Sequence, residues 1–370
     1  MADIVDLTEK FESANLGGFC GPRRFDLVPV HSEIAHEEQL KAFESAEEGF
    51  FKVVIATNSA ESSVTLADCD DVIDLGTHKA LRYDAASHRA VLAPAWVSRA
   101  SATQRAGRTG RVRPGRCWRL YSRQRFELLR PYELSEIHRQ PLDAVVLNLR
   151  SMLDAPVGPM LAQTLEPPAA DHVGRSLTAL RKQGFLTEPR GDAKAAQYYD
   201  WEDTNGDPAA ARRAAEALEG LLTPQGRFVA LIGVDLRLGR VIAVGNALGC
   251  GPVAAAAAAV LSLPRSPLRI ANPLVHQDPD EYNALVRDGL LARQRFDAGS
   301  YSEPLALARL DAAYASSLDR SSFCRAHCLA HGRAKQCAQA CYHLRERVGA
   351  ALGGDAARPV TVQELHDPLQ

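Results

Sequence analysis

The octapeptide Gln104–Arg111, QRAGRTGR, places Arg108 and Arg111 three residues apart in a turn punctuated by Gly107 and Gly110. Glycine lets a ligand approach the backbone closely, and guanidinium forks at that spacing grip phosphate oxygens bidentately. This is the chemistry of an arginine finger, which stabilises negative charge developing on a transferring phosphoryl group. A lone arginine pair would read more simply as a solvated basic turn; the whole eight-residue pattern carries the phosphate reading. A second polar segment, Ala56–Thr65 (ATNSAESSVT), follows the apolar run Val53–Ile55. Ligands of open α/β sheets bind at the carboxyl ends of the strands. Thr57, Asn58, Ser62, Ser63 and Thr65 stand where hydroxyls and amides donate to phosphate or ribose oxygens without reading bases. Taken alone, such a loop is ordinary turn chemistry.

The elements that must position these segments read as alternating strands and helices. Phe25–His31, Lys52–Asn58, Asp71–Gly76 and Arg116–Ser122 are short Val/Ile-rich runs suited to a parallel sheet covered on both faces. Helical stretches lie at Ala2–Ser13, His36–Ser45 and Ser98–Ala106, which makes an α/β layer pattern. After about Pro131 the pattern turns helical, over Ser135–Leu153, Asp171–Gln183, Asp235–Gly249, Pro252–Leu263, Pro279–Gln294, Ser302–Ser317 and Phe323–Gly349. Leu186–Thr187 and Phe228–Ile232 are expected to form a small hairpin, so that this helix-rich unit resembles a winged helix. Glu188–Asp207 is polar and reads as a surface loop. Six consecutive alanines, Ala254–Ala259, fit a helix packed closely against neighbours, and the tail after Gly349 reads as frayed.

In their order along the chain these segments resemble the second RecA-like domain of the DEAH-box RNA helicases of superfamily 2. VHSEIAHEEQ resembles the motif IVa region, ATNSAESSVT motif V and QRAGRTGRVRPG motif VI. HKALRYDAASHRAVLAPAWVSRAS is similar to the family's β-hairpin segment leading into motif VI. RPYELSEIHRQPLDAVVLNLRSML resembles the entry to its winged helix, and LTPQGRFVALIGVDLRLGRVIAVGNALGC the junction into its helical ratchet. The resemblance implies an α/β part followed by a mostly α part. It gives a RecA-like domain without its first strand at 1–130, a winged helix at 131–230, a ratchet bundle at 231–350 and a tail at 351–370. It also implies roles. Gln104, Arg108 and Arg111 would face the β- and γ-phosphates of ATP, with Gly107 beside them. Thr57, Asn58 and Ser32 would hold RNA backbone, while Ser62 and Ser63 would couple the two sites. Many relatives carry an acidic ribose ligand where Ala67 stands; the adjacent Asp68 is the substitute offered here.

No G-x-x-x-x-G-K-[ST] phosphate loop and no Asp-Glu-Ala-His box occurs in the chain. Phosphoryl transfer needs the loop lysine, a hydroxyl on Mg²⁺ and an acidic metal partner, which the resemblance assigns to a first RecA-like domain. The chain also opens on a helix without a preceding strand. The expectation is a C-terminal helicase portion, cut within motif IV and lacking the closing OB-fold. It would use ATP with Mg²⁺ only within a complete helicase, hold single-stranded RNA by its backbone, and have no ATPase of its own. Two other classes stay open: a non-catalytic RNA-binding or regulatory module, and a subunit that completes a helicase site in trans.

Composition narrows the rest. The chain has 370 residues, long enough for two or three domains. Its 46% hydrophobic and 24% charged residues exclude a disordered chain. The net charge of −2 excludes a globally basic nucleic-acid binder, yet residues 99–130 hold ten arginines against one acid, Glu127. The N-terminus lacks the order of a signal peptide, and the apolar stretch Val253–Leu263 is far shorter than a membrane span. Eight cysteines without a secretion signal point to reduced thiols in cytosol or nucleus. Cys324, Cys328, Cys337 and Cys341 form C-x₃-C-x₈-C-x₃-C. Paired on helix faces they would suit a tetrahedral zinc site, but buried small hydrophobes on a helical hairpin explain them more simply, and no metal is assigned.

Overall fold

Two runs of branched aliphatic residues pair as parallel strands in the computed structural model: β1 (Arg24–Val30) and β2 (Phe50–Ala56), with Arg24 opposite Phe50 and Val30 opposite Ala56. Val28 and Val30 are buried against Ala42 of a short 3-10 turn, Lys41–Phe43. The described residues are 7, 10–11, 24–30, 41–44, 48–62, 66, 69–110, 112–153, 155–190, 208–263, 265–269, 271, 278–352, 360 and 365. Most of the helices expected at Ala2–Ser13 and His36–Ser45 therefore lie outside them. The chain divides into two compact units, Met1–Gln140 and Pro141–Gln370.

In the first unit, α1 (Ser59–Ser62) follows β2, and β3 (Asp71–Asp74) pairs in parallel with a later strand. β4 (Thr77–Asp84) and β5 (Arg89–Trp96) form an antiparallel hairpin, then come α2 (Arg99–Ala106), β6 (Arg116–Arg119) and α3 (Arg123–Glu127). β6 is the partner of β3, with Asp71 opposite Arg116. The hairpin occupies the stretch whose resemblance implied one. The strands end sooner than their apolar runs suggest, for local reasons. Gly76 adopts a φ of 73°, which other residues rarely take. Ser122 caps α3, its hydroxyl accepting from the amide of Arg125. Ser98 caps α2 likewise, accepting from Ser101.

The second unit is helical, with α4 (Asp143–Leu153), α5 (Val157–Ala162), α6 (Ala170–Lys182), α7 (Pro208–Leu218), α8 (Pro224–Ile232), α9 (Leu236–Ala247) and α10 (Gly251–Leu261). It continues with α11 (Pro279–Asp297), α12 (Glu303–Ser316), α13 (Arg320–Ala326) and α14 (His331–Leu352). Most were expected within a few residues, but four readings change. Phe228–Ile232 is helix rather than strand: the Thr223 hydroxyl accepts from the Gly226 amide, Pro224 opens the first turn, and Phe228, Val229 and Ile232 share one buried face. Leu186 bridges to Leu222 instead. The helix expected over Ser135–Leu153 is a 3-10 turn, Glu136–His138, then α4, because Pro141 interrupts it. The helix expected over Phe323–Gly349 breaks at Cys328, whose φ is 53° and whose carbonyl accepts from the Arg269 amide at 2.9 Å. The tail is not frayed where it is described: Val360 and Leu365 are buried with Ala256 and Ala308, and Arg309 donates to the Leu365 carbonyl at 2.8 and 3.1 Å.

The alanine run lies in α10, which packs on α9, α12 and α14. Ala255, Ala256, Ala258 and Ala259 are buried, and Gly245 of α9 comes so close that a β-carbon there would collide with that of Ala254. Arg150 of α4 is fully buried and ties two chain reversals together, donating to the carbonyls of Ala155 at 2.6 Å and Gly220 at 2.7 Å. Glu219 lies 3.9 Å from its guanidinium and accepts from the amides of Val157 and Gly158 at the start of α5. The expected loop Glu188–Asp207 falls outside the described residues from 191 to 207. No described helix is long and apolar enough to cross a membrane.

Candidate functional site: the strand ends and the arginine-bearing turn

Thr57 and Asn58 stand where β2 ends, and the amide of Thr57 donates to the Val30 carbonyl of the neighbouring strand at 3.1 Å. The carbonyl of Asn58 then accepts from the Glu61 amide at 3.1 Å, which folds the next residues into α1. Glu61 leaves this turn pointing at α2. One carboxylate oxygen accepts from the Ser101 hydroxyl and the other from Arg105 Nε at 3.0 Å. Arg105 continues to Asp74 at the end of β3, with Nη1 2.9 Å from Oδ1. Asp74 is buried, its other oxygen accepting from the Tyr121 hydroxyl at 2.8 Å and its first also from the Gly76 amide. A chain of charged hydrogen bonds thus runs from the end of β2 through α2 to the ends of β3 and β6.

The electrostatics follow from burial against partners. Burial alone would lower the Arg105 pKa, but the hydrogen bonds to Glu61 and Asp74 outweigh it and hold the guanidinium above its ordinary value. Burial, then the hydrogen bond to Asp74, pushes the Tyr121 phenol up. Beyond this network the turn is held by Thr109, whose hydroxyl donates to the Cys69 and Asp70 carbonyls at 2.7 and 3.0 Å.

Gln104 lies in the last turn of α2 and Arg108 in the turn just after it, with Arg108 Nε donating to the Gln104 carbonyl at 3.3 Å. Gln104 is exposed and Arg108 half-buried, with Gly107 capping the helix between them. Their donor chemistry suits phosphate oxygens, and Mg²⁺ would need carboxylates that this turn does not supply. The structure thus brings Gln104, Gly107 and Arg108 together, and ties Thr57 and Asn58 to the same α2 helix through Glu61. Ser32, Ser63, Asp68 and Arg111 lie outside the described residues, as does the side chain of Ser62.

Sequence reasoning singled out the hydroxyls of the polar loop and passed over Glu61, its one acid, and Asp74 and Tyr121. The available signal was an acid inside a Ser/Thr segment and another ending an apolar strand. The arginine-rich stretch is also less of an open positive field than its local count implies. Arg113 pairs with Asp70 and Arg116 with Asp71, the latter at 2.9 and 3.1 Å. Arg116, then Trp118, holds the Asp71 carboxyl below its usual range. Arg119 lies over the Phe126 ring at 4.4 Å and Arg125 over Trp96 at 4.8 Å. The acids come from residues 61–74, upstream of the arginine-rich stretch.

Residues 5–113 match the helicase conserved C-terminal domain. The chain is 37% identical over 242 residues to the chloroplastic DExH-box ATP-dependent RNA helicase DExH4 of Arabidopsis thaliana, covering 65% of this chain and 15% of that protein. It is 31% identical over 307 residues to DExH-box ATP-dependent RNA helicase DExH3 of the same plant, covering 83% of this chain and 22% of the relative. It is 32% identical over 262 residues to ATP-dependent RNA helicase dhx29 of Xenopus laevis, covering 71% and 17%. The chain therefore spans less than a quarter of the length of each of these relatives.

Proposed function

Since the chain belongs to the DExH/DEAH-box RNA helicases, as a C-terminal helicase portion, we propose that its α2 turn is the arginine-finger half of an ATP site and its β2 end part of an RNA groove. Gln104, Arg108 and Arg111 would meet the β- and γ-phosphates, with Asp68 at the ribose; Thr57, Asn58 and Ser32 would hold RNA backbone. ATP with Mg²⁺ would be completed by a first RecA-like domain carrying the phosphate loop, in cis or in trans. Residues 131–230 are read as a winged helix and 231–350 as a ratchet bundle, of a kind that holds single-stranded RNA by its backbone.

The observation that carries this reading is Glu61. It grows from the same turn as Thr57 and Asn58, yet its carboxylate accepts from Ser101 and Arg105 of α2, the helix that ends two residues before Arg108. A displacement of the nucleotide-facing turn is thereby passed to the RNA-facing one through two charge-assisted hydrogen bonds. Ser62 and Ser63, next in the chain, would share that coupling.

ATP hydrolysis tests it. The chain alone, with RNA, is expected to show no turnover, because it has no phosphate loop. In a complete helicase carrying these residues, Arg108→Ala is expected to lower kcat by about 10³-fold or more. Glu61→Gln is expected to keep basal hydrolysis and lose its stimulation by RNA. Robust turnover by the chain alone that disappears in Arg108→Ala would sink the proposal.

A further inference from the structure

Away from the strand ends, three ligand-type side chains meet inside the helical unit. Cys337 and Cys341 stand four residues apart on α14, so both thiols face the same way. Across from them α12 presents Asp311. The carboxylate oxygen and the two sulfurs lie within 4.8 Å of one another, and all three residues are at most 6% exposed. Asp311 Oδ1 is buried without a nitrogen or oxygen partner among the described residues, and the groups its carboxylate meets are the thiols of Cys341 and Cys337. A carboxylate held inside a helix bundle without a cation beside it is costly, and here it faces a pair of soft donors.

We propose that Asp311, Cys337 and Cys341 form a buried site for a thiophilic divalent cation, zinc by preference, that fastens α12 to α14. The donor set decides the class of ion. Magnesium and calcium take oxygen ligands almost exclusively, whereas two thiolates with one carboxylate suit tetrahedral zinc. Three protein ligands leave one position for water. Charge agrees: two thiolates and a carboxylate with Zn²⁺ sum to −1, and Arg345 of α14 lends positive charge toward Asp311. The site is not the four-cysteine arrangement that the sequence spacing suggested. Cys324 lies on α13 and Cys328 in the break after it, and among the described residues the acid of α12 takes the place of that second pair.

The test uses Co²⁺ as a spectroscopic stand-in, added to the full chain under reducing conditions. The expected result is one equivalent bound, with thiolate-to-cobalt charge-transfer absorption and tetrahedral d–d bands, displaced by Zn²⁺. Cys337→Ser and Asp311→Asn should each weaken Co²⁺ binding about tenfold or more, while Cys324→Ser leaves it unchanged. If either variant fails to fold by circular dichroism, the stoichiometry and charge-transfer band of the unmutated chain decide. Absence of that band in the folded chain overturns the proposal. So does a Cys337–Cys341 disulfide found by mass before reduction, or a band lost in Cys324→Ser and kept in Cys337→Ser.

Discussion

Two arginines on carboxylates organise the two units, and they differ in what they join. Arg150 in the helical unit has no exposed side-chain surface and binds carbonyls at two chain reversals, Ala155 and Gly220, with Glu219 beside it. Arg105 in the α/β unit keeps 15% of its side chain exposed and spans two acids, Glu61 and Asp74, on separate strand-end turns. The first is a brace: every partner belongs to the ends of packed helices, and its loss is a loss of fold. The second is a linkage between the segments that carry Thr57, Asn58 and Arg108, the residues proposed to meet ligands. The same chemistry braces packed helices in one place and, on the function proposed above, links two candidate sites in the other.

The sharpest way to break this comparison is Arg150→Ala. Removing it leaves two buried carbonyls without their donor and takes the cation from beside Glu219, which keeps the Val157 and Gly158 amides. Urea denaturation is expected to show a loss of about 3–5 kcal/mol. Hydrogen exchange should rise first at the starts of α5 and α8. Arg105→Ala is expected to cost less, about 2 kcal/mol, because Asp74 keeps Tyr121 and the Gly76 amide while Glu61 keeps Ser101. Its exchange signature should be confined to α1, α2 and β3; equal losses from both arginines would erase the distinction drawn above.

Tyr121→Phe should remove about 1 kcal/mol and also change the response to alkali. The phenol pKa is raised in the folded chain by burial and by Asp74. Its stabilising contribution is therefore complete below the unfolded value near 10 and is lost as pH climbs above it. Denaturation followed from pH 8 to 11 should fall more steeply for the unmutated chain than for Tyr121→Phe. The smallest structural effect belongs to Arg108→Ala, within about 0.5 kcal/mol. A variant that leaves stability untouched while abolishing hydrolysis in a complete helicase would mark Arg108 as the functional arginine and Arg105 as its anchor.

Much of the fold was legible because its signals are local. Ser98 and Asp235 each cap the helix read as starting there, and the apolar runs form parallel strands, though as two separate pairs rather than one sheet. Phe228–Ile232 misled because five apolar residues fit strand and helix alike, and the deciding signal lay upstream in Thr223-Pro224. The long final helix was divided by a residue in the left-handed region, Cys328, which is seldom asked to adopt it. At the candidate site QRAGRTGR named Gln104, Gly107 and Arg108, which the structure holds at the end of α2, while their supports were not readable. Glu61 and Asp74 meet Arg105 across 44 and 31 residues of chain, and Tyr121 meets Asp74 across 47.

By itself the sequence determined the order of the motifs, the change from alternating strands to helices, and the arginines and glycines of the α2 turn. Each follows from side-chain type, spacing and backbone preference within a few residues. Tertiary structure alone decided which arginines are occupied by carboxylates, which acid joins Cys337 and Cys341, and that Leu365 is received by Arg309. Those outcomes depend on which distant segments are brought to the same place, and charge pairing and burial act on distance in space rather than along the chain.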